Sequence, residues 1–204
     1  YGANVIDLPK ELAQDDTPEW MAWQHAVKWI QEQNERFDVF LSLPTTSPLR
    51  NKDDVLKCLN KLDERFDVVV TMTKTNRSPW FNMVKMNDVG SLSLFVEGNK
   101  HYMRRQDAPK AFDMTTVTYV TRPTFILNNQ KIWDGNVVGV LIPIERAIDI
   151  DDELDFEIRG TLTGSNASRW FSGMRCRSCA GQFQPGTDFF EVKLFGSVVI
   201  LVLF

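Results

Sequence analysis

The sequence is poor in cysteine, histidine and basic runs, and each shortage excludes a class of protein. Its 204 residues include three cysteines and two histidines, too few for a disulfide scaffold or a histidine-rich metal site. The formal net charge is −4 and lysine and arginine form no block, so binding to nucleic acid is not expected. The apolar stretch at 198–204 is too short to span a bilayer. A globular, cytoplasmic protein without a membrane partner is expected.

The residues that most often carry chemistry are also scarce or isolated. His25 and His101 are far apart in the chain, which disfavours a histidine-centred triad. Cys58 falls in a predicted helix and is expected to be a packed side chain. Cys176 and Cys179 form one CxxC pair, and a zinc site needs two more ligands. The 11 glycines form no phosphate-binding loop, so most of a nucleotide's phosphate cradle is missing from this sequence.

Helices and strands alternate in the first third of the chain. Thr17 is predicted to cap a helix whose apolar stripe lies at 20–30, and 38–43 reads as a buried strand. Asn51 is predicted to cap the next helix, which leads to a second buried strand at 67–72. Near-continuous apolar strands between helices predict an α/β fold, with a mostly parallel sheet covered by helices on both faces.

The rest of the chain is less regular. The segment at about 78–129 has no clean period and is predicted to leave the sheet, where it would contact substrate or a partner. Residues 137–144 return to strand. From about residue 160 onward, glycine, serine, cysteine and aromatic residues follow no period, so the tail at 160–204 is expected to contribute little to the α/β core.

Two polar segments are candidates for a binding site. The loop after the first buried strand contains Thr46, Ser47 and Arg50, and ligands bind at such strand ends in open α/β sheets. Helix capping explains these residues almost as well. Asp149 and Asp151, two residues apart, would point to the same side of an extended backbone and suit Mg²⁺. A solvated helix start is the competing interpretation, and the local pattern alone favours it.

The adjacent arginines Arg104 and Arg105 are a third candidate for a binding site. Arginine pairs bidentately with carboxylate or phosphate, although an exposed pair without a ligand is equally compatible with the pattern.

Four segments together resemble one enzyme family. They are Leu8–Thr17 (LPKELAQDDT), Leu43–Arg50 (LPTTSPLR), Arg104–Tyr119 (beginning RRQDAPK) and Ala147–Asp155 (AIDIDDELD). Their sequences and their order over residues 1–159 resemble the N-acylneuraminate cytidylyltransferases, also called CMP-sialic acid synthetases. The combination is specific, although each segment alone is not.

The resemblance implies a Rossmann-like nucleotidyltransferase domain over 1–159. In the family, the 2-hydroxyl of a sialic-acid-type sugar attacks the α-phosphorus of CTP with Mg²⁺ as the cofactor, releasing pyrophosphate. The family forms homodimers in which an excursion from the sheet, here at about 78–129, reaches the partner's active site. The residues implied are Asp149 and Asp151 as catalytic metal ligands, Arg105, Tyr119 and Asn82 toward the sugar, and Thr17 toward the nucleotide.

The sequence also departs from the family's pattern. Pro44 stands where the family has a sugar-contacting glutamine, and Asp113 stands where it has an arginine. A different nonulosonic acid, such as legionaminate, pseudaminate or a deaminated sialic acid, is therefore an alternative substrate, and a non-catalytic fragment or binding module is an alternative function. The family's glycine-rich loop would precede residue 1, so this chain alone is expected to bind sugar without forming the CMP-sugar.

Overall fold

The computed structural model describes residues 4–14, 16–98, 101–155, 157, 189–195 and 198–203. The strands in these ranges are β1 (Asn4–Asp7), β2 (Val39–Pro44), β3 (Val68–Lys74), β4 (Val84–Met86), β5 (Leu92–Leu94), β6 (Phe112–Thr121), β7 (Val137–Leu141), β8 (Phe189–Phe195) and β9 (Val198–Leu203). The α-helices are α1 (Glu19–Glu32), α2 (Lys52–Leu59) and α3 (Pro123–Asn128).

The main sheet has seven strands in the order β1-β8-β9-β2-β6-β3-β7. The β2–β9 and β3–β7 pairs are parallel, and the other neighbours are antiparallel. The predicted α/β class is confirmed. The sheet is nevertheless mixed rather than mostly parallel, because β6 and β8 run against the other strands.

Helices cover both faces of this sheet, as predicted. Successive residues of a strand point to opposite faces, and the two core clusters follow this alternation. Phe40 and Val68 belong to the cluster beneath α1 and α3, whereas their neighbours Leu41 and Val69 belong to the cluster that contains Cys58 of α2. Cys58 is fully buried, which agrees with the prediction that it is a packed side chain.

The predicted excursion at 78–129 is shorter in the structure, because β6 lies between β2 and β3 in the sheet. Of the described residues, 75–98 and 101–111, which include the separate β4–β5 hairpin, lie outside the main sheet before β6, and α3 follows β6. Gly90 turns this hairpin at a φ of 83°, a left-handed conformation that glycine adopts without strain. The sequence of β6, FDMTTVTYVT, is rich in β-branched residues, and that signal was available in the sequence.

The tail also departs from its prediction. The expectation that residues after 160 contribute little to the α/β fold is wrong for β8 and β9, which occupy places within the sheet. β9 pairs along the whole of β2, from Val39 opposite Val198 to Pro44 opposite Leu203. The physical reason is that β2 would otherwise present an unpaired edge. The pair Cys176 and Cys179 lies outside the described residues.

The starts of α1 and α2 test the N-cap residues that were predicted from the sequence. Asn51 caps α2 as predicted, and it forms a reciprocal capping box with Asp54. Thr17 does not cap α1, which begins one residue later than Pro18, and its hydroxyl donates instead to the Glu11 carbonyl at 3.5 Å. Among the described helices, none has both the length and the apolar character needed to cross a membrane.

Candidate active site

The carboxyl ends of β2, β3 and β7 meet at one edge of the sheet, because these strands run in the same direction. The loop at 45–50 follows β2, and the segment that contains Asp149 follows β7. The Ile150 backbone N–H donates to the Thr46 carbonyl at 2.9 Å and joins the two segments directly. Two of the sequence-predicted sites are therefore adjacent in space.

Asp149 is half-buried, and its Oδ1 atom is buried without a hydrogen-bond partner among the described residues. Asp151 is exposed, and desolvation of its carboxyl followed by the charge of Asp149 raises its pKa. The charge of Asp149 therefore acts on the carboxyl of Asp151. Within the described residues, no group of three or more acidic, histidine or cysteine side chains is arranged to hold a metal. A buried carboxylate oxygen without a partner nevertheless fits Mg²⁺, which uses one or two carboxylates and completes its shell with water and phosphate.

Arg50 is half-buried at the end of the loop after β2. Its guanidinium Nη2 donates to the Pro44 carbonyl at the end of β2, and its Nε is buried without a partner among the described residues. Desolvation lowers the pKa of Arg50 to about 10, and the negative charge of Asp149 opposes that shift. Arg50 therefore remains a cation at neutral pH, and its charge acts on Asp149.

Glu19 is a member of this site that the sequence analysis missed. Its Oε1 accepts hydrogen bonds from Trp23 Nε1 at 3.0 Å and from Ser42 Oγ at 3.3 Å. Although the residue as a whole is exposed, desolvation of its carboxyl raises the pKa of Glu19, and the charge of Asp149 adds to that effect. An acidic residue in the first turn of a helix is ordinary, so the local sequence carried no signal for this role.

Tyr119 lies between the core and these charges. Its ring packs 5.4 Å from that of Trp23, and the residue is buried in β6. Burial, followed by the charges of Glu19 and Asp149, raises the pKa of Tyr119, so its hydroxyl stays protonated and able to donate. Glu19, Arg50, Tyr119 and Asp149 form what we call the edge cluster.

The hydroxyl groups of the loop after β2 have different environments. Ser47 is fully buried, and its Oγ lies 2.6 Å from Thr116 Oγ1, so this hydroxyl joins the loop to β6. The side chain of Thr46 is exposed. Of the two, Thr46 is the one placed to meet a ligand.

The other predicted residues make their hydrogen bonds outside the edge cluster. Arg105 is exposed and donates to the Asn76 carbonyl at 2.6 Å, which ties it to the segment that follows β3. Asn82 accepts from the Ser78 backbone N–H at 2.7 Å. No hydrogen bond or ion pair between described residues links these two side chains, or Thr17, to the edge cluster.

A buried ion pair fixes the segment before Asp149. Asp54 in α2 is fully buried and accepts from Arg146 Nε at 2.8 Å and from Arg146 Nη2 at 2.9 Å. This pair holds the segment after β7 against the helix that follows the 45–50 loop. Together with the Ile150–Thr46 hydrogen bond, it positions Asp149 over the edge of the sheet.

The chain resembles three characterised bacterial proteins. It is 30% identical over 124 residues to post-translational flagellin modification protein B of Campylobacter coli, covering 60% of this chain and 52% of that protein. It is 32% identical over 90 residues to CMP-N,N'-diacetyllegionaminic acid synthase of Campylobacter jejuni, covering 44% and 37%. It is 23% identical over 164 residues to N-acylneuraminate cytidylyltransferase of Escherichia coli, covering 79% and 38%.

The chain is a homologue of the nonulosonic acid cytidylyltransferases. This confirms the family resemblance of the four sequence segments, and two of the relatives are named as a synthase and a cytidylyltransferase. The chain spans between 37% and 52% of the length of these three relatives. No protein-family model matches it.

Proposed function

We propose that this cytidylyltransferase homologue transfers CMP from CTP to a sialic-acid-type nonulosonic acid and releases pyrophosphate. The observation that carries the proposal is the unpartnered, buried Oδ1 of Asp149, which lies beside the 45–50 loop at the carboxyl edge of the sheet. Open α/β sheets bind their ligands at this edge. The homology to enzymes that activate nonulosonic acids supports the same reaction.

The proposed reaction is an in-line displacement at phosphorus. The sugar hydroxyl forms a bond to the α-phosphorus of CTP and releases its proton to solvent, and the bond from that phosphorus to the bridging oxygen of pyrophosphate breaks. Asp149 and Asp151 would hold Mg²⁺, which neutralises charge on the phosphates when it is bound. The protonated hydroxyl of Tyr119 would donate a hydrogen bond to a substrate oxygen beside these carboxylates.

Arg105 is the proposed ligand of the sugar's carboxylate. It donates one hydrogen bond to the Asn76 carbonyl, and its other guanidinium N–H groups have no partner among the described residues. That single tether keeps the side chain beyond the end of β3 while the rest of the planar fork is available for a bidentate pair. Thr17 and Asn82 are proposed to contact the nucleotide and the sugar at the rim of the site.

The sugar substrate is either N-acetylneuraminate or another nonulosonic acid, and these are two versions of the proposal. Pro44 is buried at the end of β2, where the family's pattern has a sugar-contacting glutamine. Asp113 lies exposed near the start of β6, where the pattern has an arginine. Both changes alter the polarity of the sugar pocket, which favours testing legionaminate, pseudaminate and deaminated sialic acid beside N-acetylneuraminate.

A homodimer is proposed from the β4–β5 hairpin. Its pairing places Val84 opposite Leu94 and Met86 opposite Leu92, so these four apolar side chains share one face. Met86 and Leu92 are 72% and 64% exposed. An isolated two-stranded hairpin is marginally stable in water, so a second copy of the chain that covers this face would stabilise it.

The experiment that tests the function measures pyrophosphate release from CTP with Mg²⁺ and a panel of nonulosonic acids. The chain alone is expected to give no turnover, because its 11 glycines form no phosphate-binding loop, and turnover with one of these sugars is expected when a glycine-rich loop segment is supplied with it. Asp149→Asn and Asp151→Asn should each lower the rate at least about a hundredfold, the scale of losing a positioned electrostatic group. Asp152→Asn is the matched control, because its carboxylate accepts from the Asp155 backbone N–H within the following turn.

Calorimetric titration with each sugar, without CTP, tests the binding-module alternative. Binding without pyrophosphate release, even when a glycine-rich loop segment is supplied, would support a non-catalytic sugar-binding function. Near-normal rates in both aspartate variants would contradict the proposed metal site.

A further inference from the structure

Strand β6 bulges where it faces β3. Val70 of β3 lies opposite Tyr119, and the next residue, Thr71, lies opposite Thr115. Over this step of one residue in β3, β6 therefore uses three extra residues, 116–118. A bulge bends its strand and changes the direction of its side chains, and bulges are over-represented next to active sites. This bulge is therefore a candidate for shaping the site at the edge of the sheet.

The hydroxyl of Thr71 contacts both ends of the bulge. It accepts hydrogen bonds from Thr115 Oγ1 at 2.8 Å and from the Thr118 backbone N–H at 3.3 Å. The Thr115 carbonyl at 3.0 Å and the Thr118 carbonyl at 3.3 Å are alternative acceptors for its single proton. Because Thr71 and Thr118 are fully buried, loss of this hydroxyl would leave the Thr118 N–H without water to replace it.

Thr118 also holds the bulge against β2. Its Oγ1 donates to the Ser42 carbonyl at 3.1 Å, on the strand that leads into the 45–50 loop. Its backbone N–H donates to Thr71 of β3 on the other side. The bulge is therefore bonded to both neighbouring strands, and it cannot shift without breaking one of these bonds.

A second hydroxyl of the bulge contacts the 45–50 loop directly. Thr116 Oγ1 lies 2.6 Å from Ser47 Oγ, and Ser47 is fully buried in that loop. The adjacent Thr46 offers its carbonyl to the Ile150 backbone N–H at 2.9 Å. A path of hydrogen bonds between neighbouring residues therefore leads from the bulge through the loop to the segment after β7.

We propose that Thr71 is a positioning residue for this site. Its hydroxyl fixes the bulge of β6, and the bulge, through Thr116 and Ser47, holds the 45–50 loop where it meets the Asp149 segment. Since Thr71 is fully buried, it acts through these residues. The inference deepens the proposed function and rests on it, because the loop and Asp149 belong to the site proposed there.

Amide hydrogen exchange, measured by NMR on the full chain, tests this path without reference to activity. Thr71→Val removes the hydroxyl and keeps the branched shape of the side chain. The amide of Thr118, which donates to Thr71, and that of Ile150, which donates to Thr46, should each exchange about tenfold faster, the scale of losing one hydrogen bond. Thr71→Ser keeps the hydroxyl and should return both rates to within about twofold of the unmodified chain.

Thr121→Val is the matched control. Thr121 is fully buried in the regularly paired part of β6, and its hydroxyl donates to the Asp67 carbonyl at 2.8 Å. The substitution therefore removes an equally buried hydroxyl away from the bulge, and exchange at Ile150 should not change. Faster exchange at Thr118 alone in Thr71→Val, or an equal effect of Thr121→Val at Ile150, would overturn the inference.

If Thr71→Val does not fold, Thr116→Val tests the same path at its middle. It removes the hydroxyl that contacts Ser47 and leaves that of Thr71 in place. Exchange at Ile150 should again be about tenfold faster, whereas exchange at Thr118 should stay within about twofold. An unchanged rate at Ile150 would overturn the inference.

Kinetics then connect the position of the loop to catalysis. In the pyrophosphate assay, with the glycine-rich loop segment supplied, Thr71→Val should lower kcat/KM about tenfold, and Thr71→Ser should recover most of it. Thr121→Val should stay within about twofold. Equal turnover by Thr71→Val and the unmodified chain would overturn the inference. Absence of turnover in the unmodified chain would instead contradict the proposed function, while exchange at Ile150 would still decide whether Thr71 positions the loop.

Discussion

Asp54 and Arg146, 92 residues apart in the chain, form a bidentate ion pair that joins α2 to the segment after β7. Asp54 is fully buried and also accepts from the Asn51 backbone N–H at 3.2 Å, so one carboxylate both caps a helix and anchors the segment that carries Asp149. The site therefore depends on a contact that lies outside it.

Arg146→Met should destabilise the protein by about 2 kcal/mol at neutral pH, because it leaves a buried carboxylate without its main partner. The hydrogen bonds from Arg146 hold the pKa of Asp54 below its usual value. The stabilisation is therefore complete above the unfolded pKa and is lost as the pH falls through the folded one. Thermal unfolding should show the largest difference from the unmodified chain near pH 7 and a shrinking difference below about pH 4.

Arg104→Met is the control for this experiment, since its pair with Asp107 is exposed and should contribute little. A loss with Arg104→Met as large as that with Arg146→Met would contradict the assignment of Asp54–Arg146 as the anchoring pair.

Glu19→Gln should change how the stability of the protein depends on pH, because the Glu19 carboxylate at the start of α1 is desolvated. Glutamine keeps an acceptor for Trp23 and Ser42 but removes a charge near Asp149. Because the folded pKa of Glu19 is raised, the folded state of the unmodified chain binds this proton more tightly than the unfolded chain. Its stability therefore falls as the pH rises above the ordinary glutamate range.

The melting temperature of Glu19→Gln relative to the unmodified chain should consequently increase between pH 4 and pH 7. Glu35→Gln, at an exposed residue beyond α1, corrects for the general loss of one carboxylate. A difference that stays constant over this range would contradict the desolvated state of Glu19.

Arg105→Lys should weaken the sugar's apparent affinity about tenfold and leave that of CTP nearly unchanged. Lysine keeps the charge but loses the planar fork that pairs with a carboxylate. The adjacent Arg104→Lys is the matched control, because Arg104 is occupied by Asp107. KM values for both substrates decide the matter, and equal weakening of the two would argue against Arg105 as the sugar's ligand.

The double variant Met86→Lys with Leu92→Lys should convert a dimer to a monomer. It places two charges on the apolar face of the β4–β5 hairpin, which the proposed homodimer buries. Ser93→Lys adds a charge on the opposite face of the same hairpin and should leave the dimer intact. Sedimentation velocity gives the oligomeric state, and an unmodified chain that sediments as a monomer at all concentrations would refute the proposed interface.

Ile200→Pro should cost about 3 kcal/mol or more, because proline removes a backbone donor inside the sheet. Position 200 lies opposite Leu41 on one side and Lys193 on the other. Thermal unfolding of the full chain provides the measurement. An unchanged melting temperature would mean that β9 is dispensable and would restore the expectation drawn from the sequence.

Local sequence signals predicted the features that depend on neighbouring residues. Asn51 followed by Asp54 specifies a capping box over four residues, and that box is present. The apolar runs that became β2 and β3 were recognisable because strands buried on both faces need few polar residues. The Thr17 cap failed because Pro18 itself occupies the N-cap position of α1.

Contacts between distant segments could not be predicted in this way. The aperiodic segment that includes β6 and the apolar end that became β9 both entered the sheet because they pair with β2, and strand pairing depends on the whole topology. Glu19 joined the site because Ser42 and Asp149 approach it in space, and nothing in its neighbourhood along the chain indicates that.

The sequence by itself determined the α/β class, the Asn51 helix cap and the resemblance to the cytidylyltransferases, because short motifs and hydrophobic periods are local properties. The tertiary structure decided that Arg50 is half-buried and donates to the Pro44 carbonyl while Arg105 stays exposed, although both are arginines of family motifs. The physical reason is that a side chain's role depends on desolvation and on the charges around it, and both are set only when β2, β7 and α1 come together at one edge of the sheet.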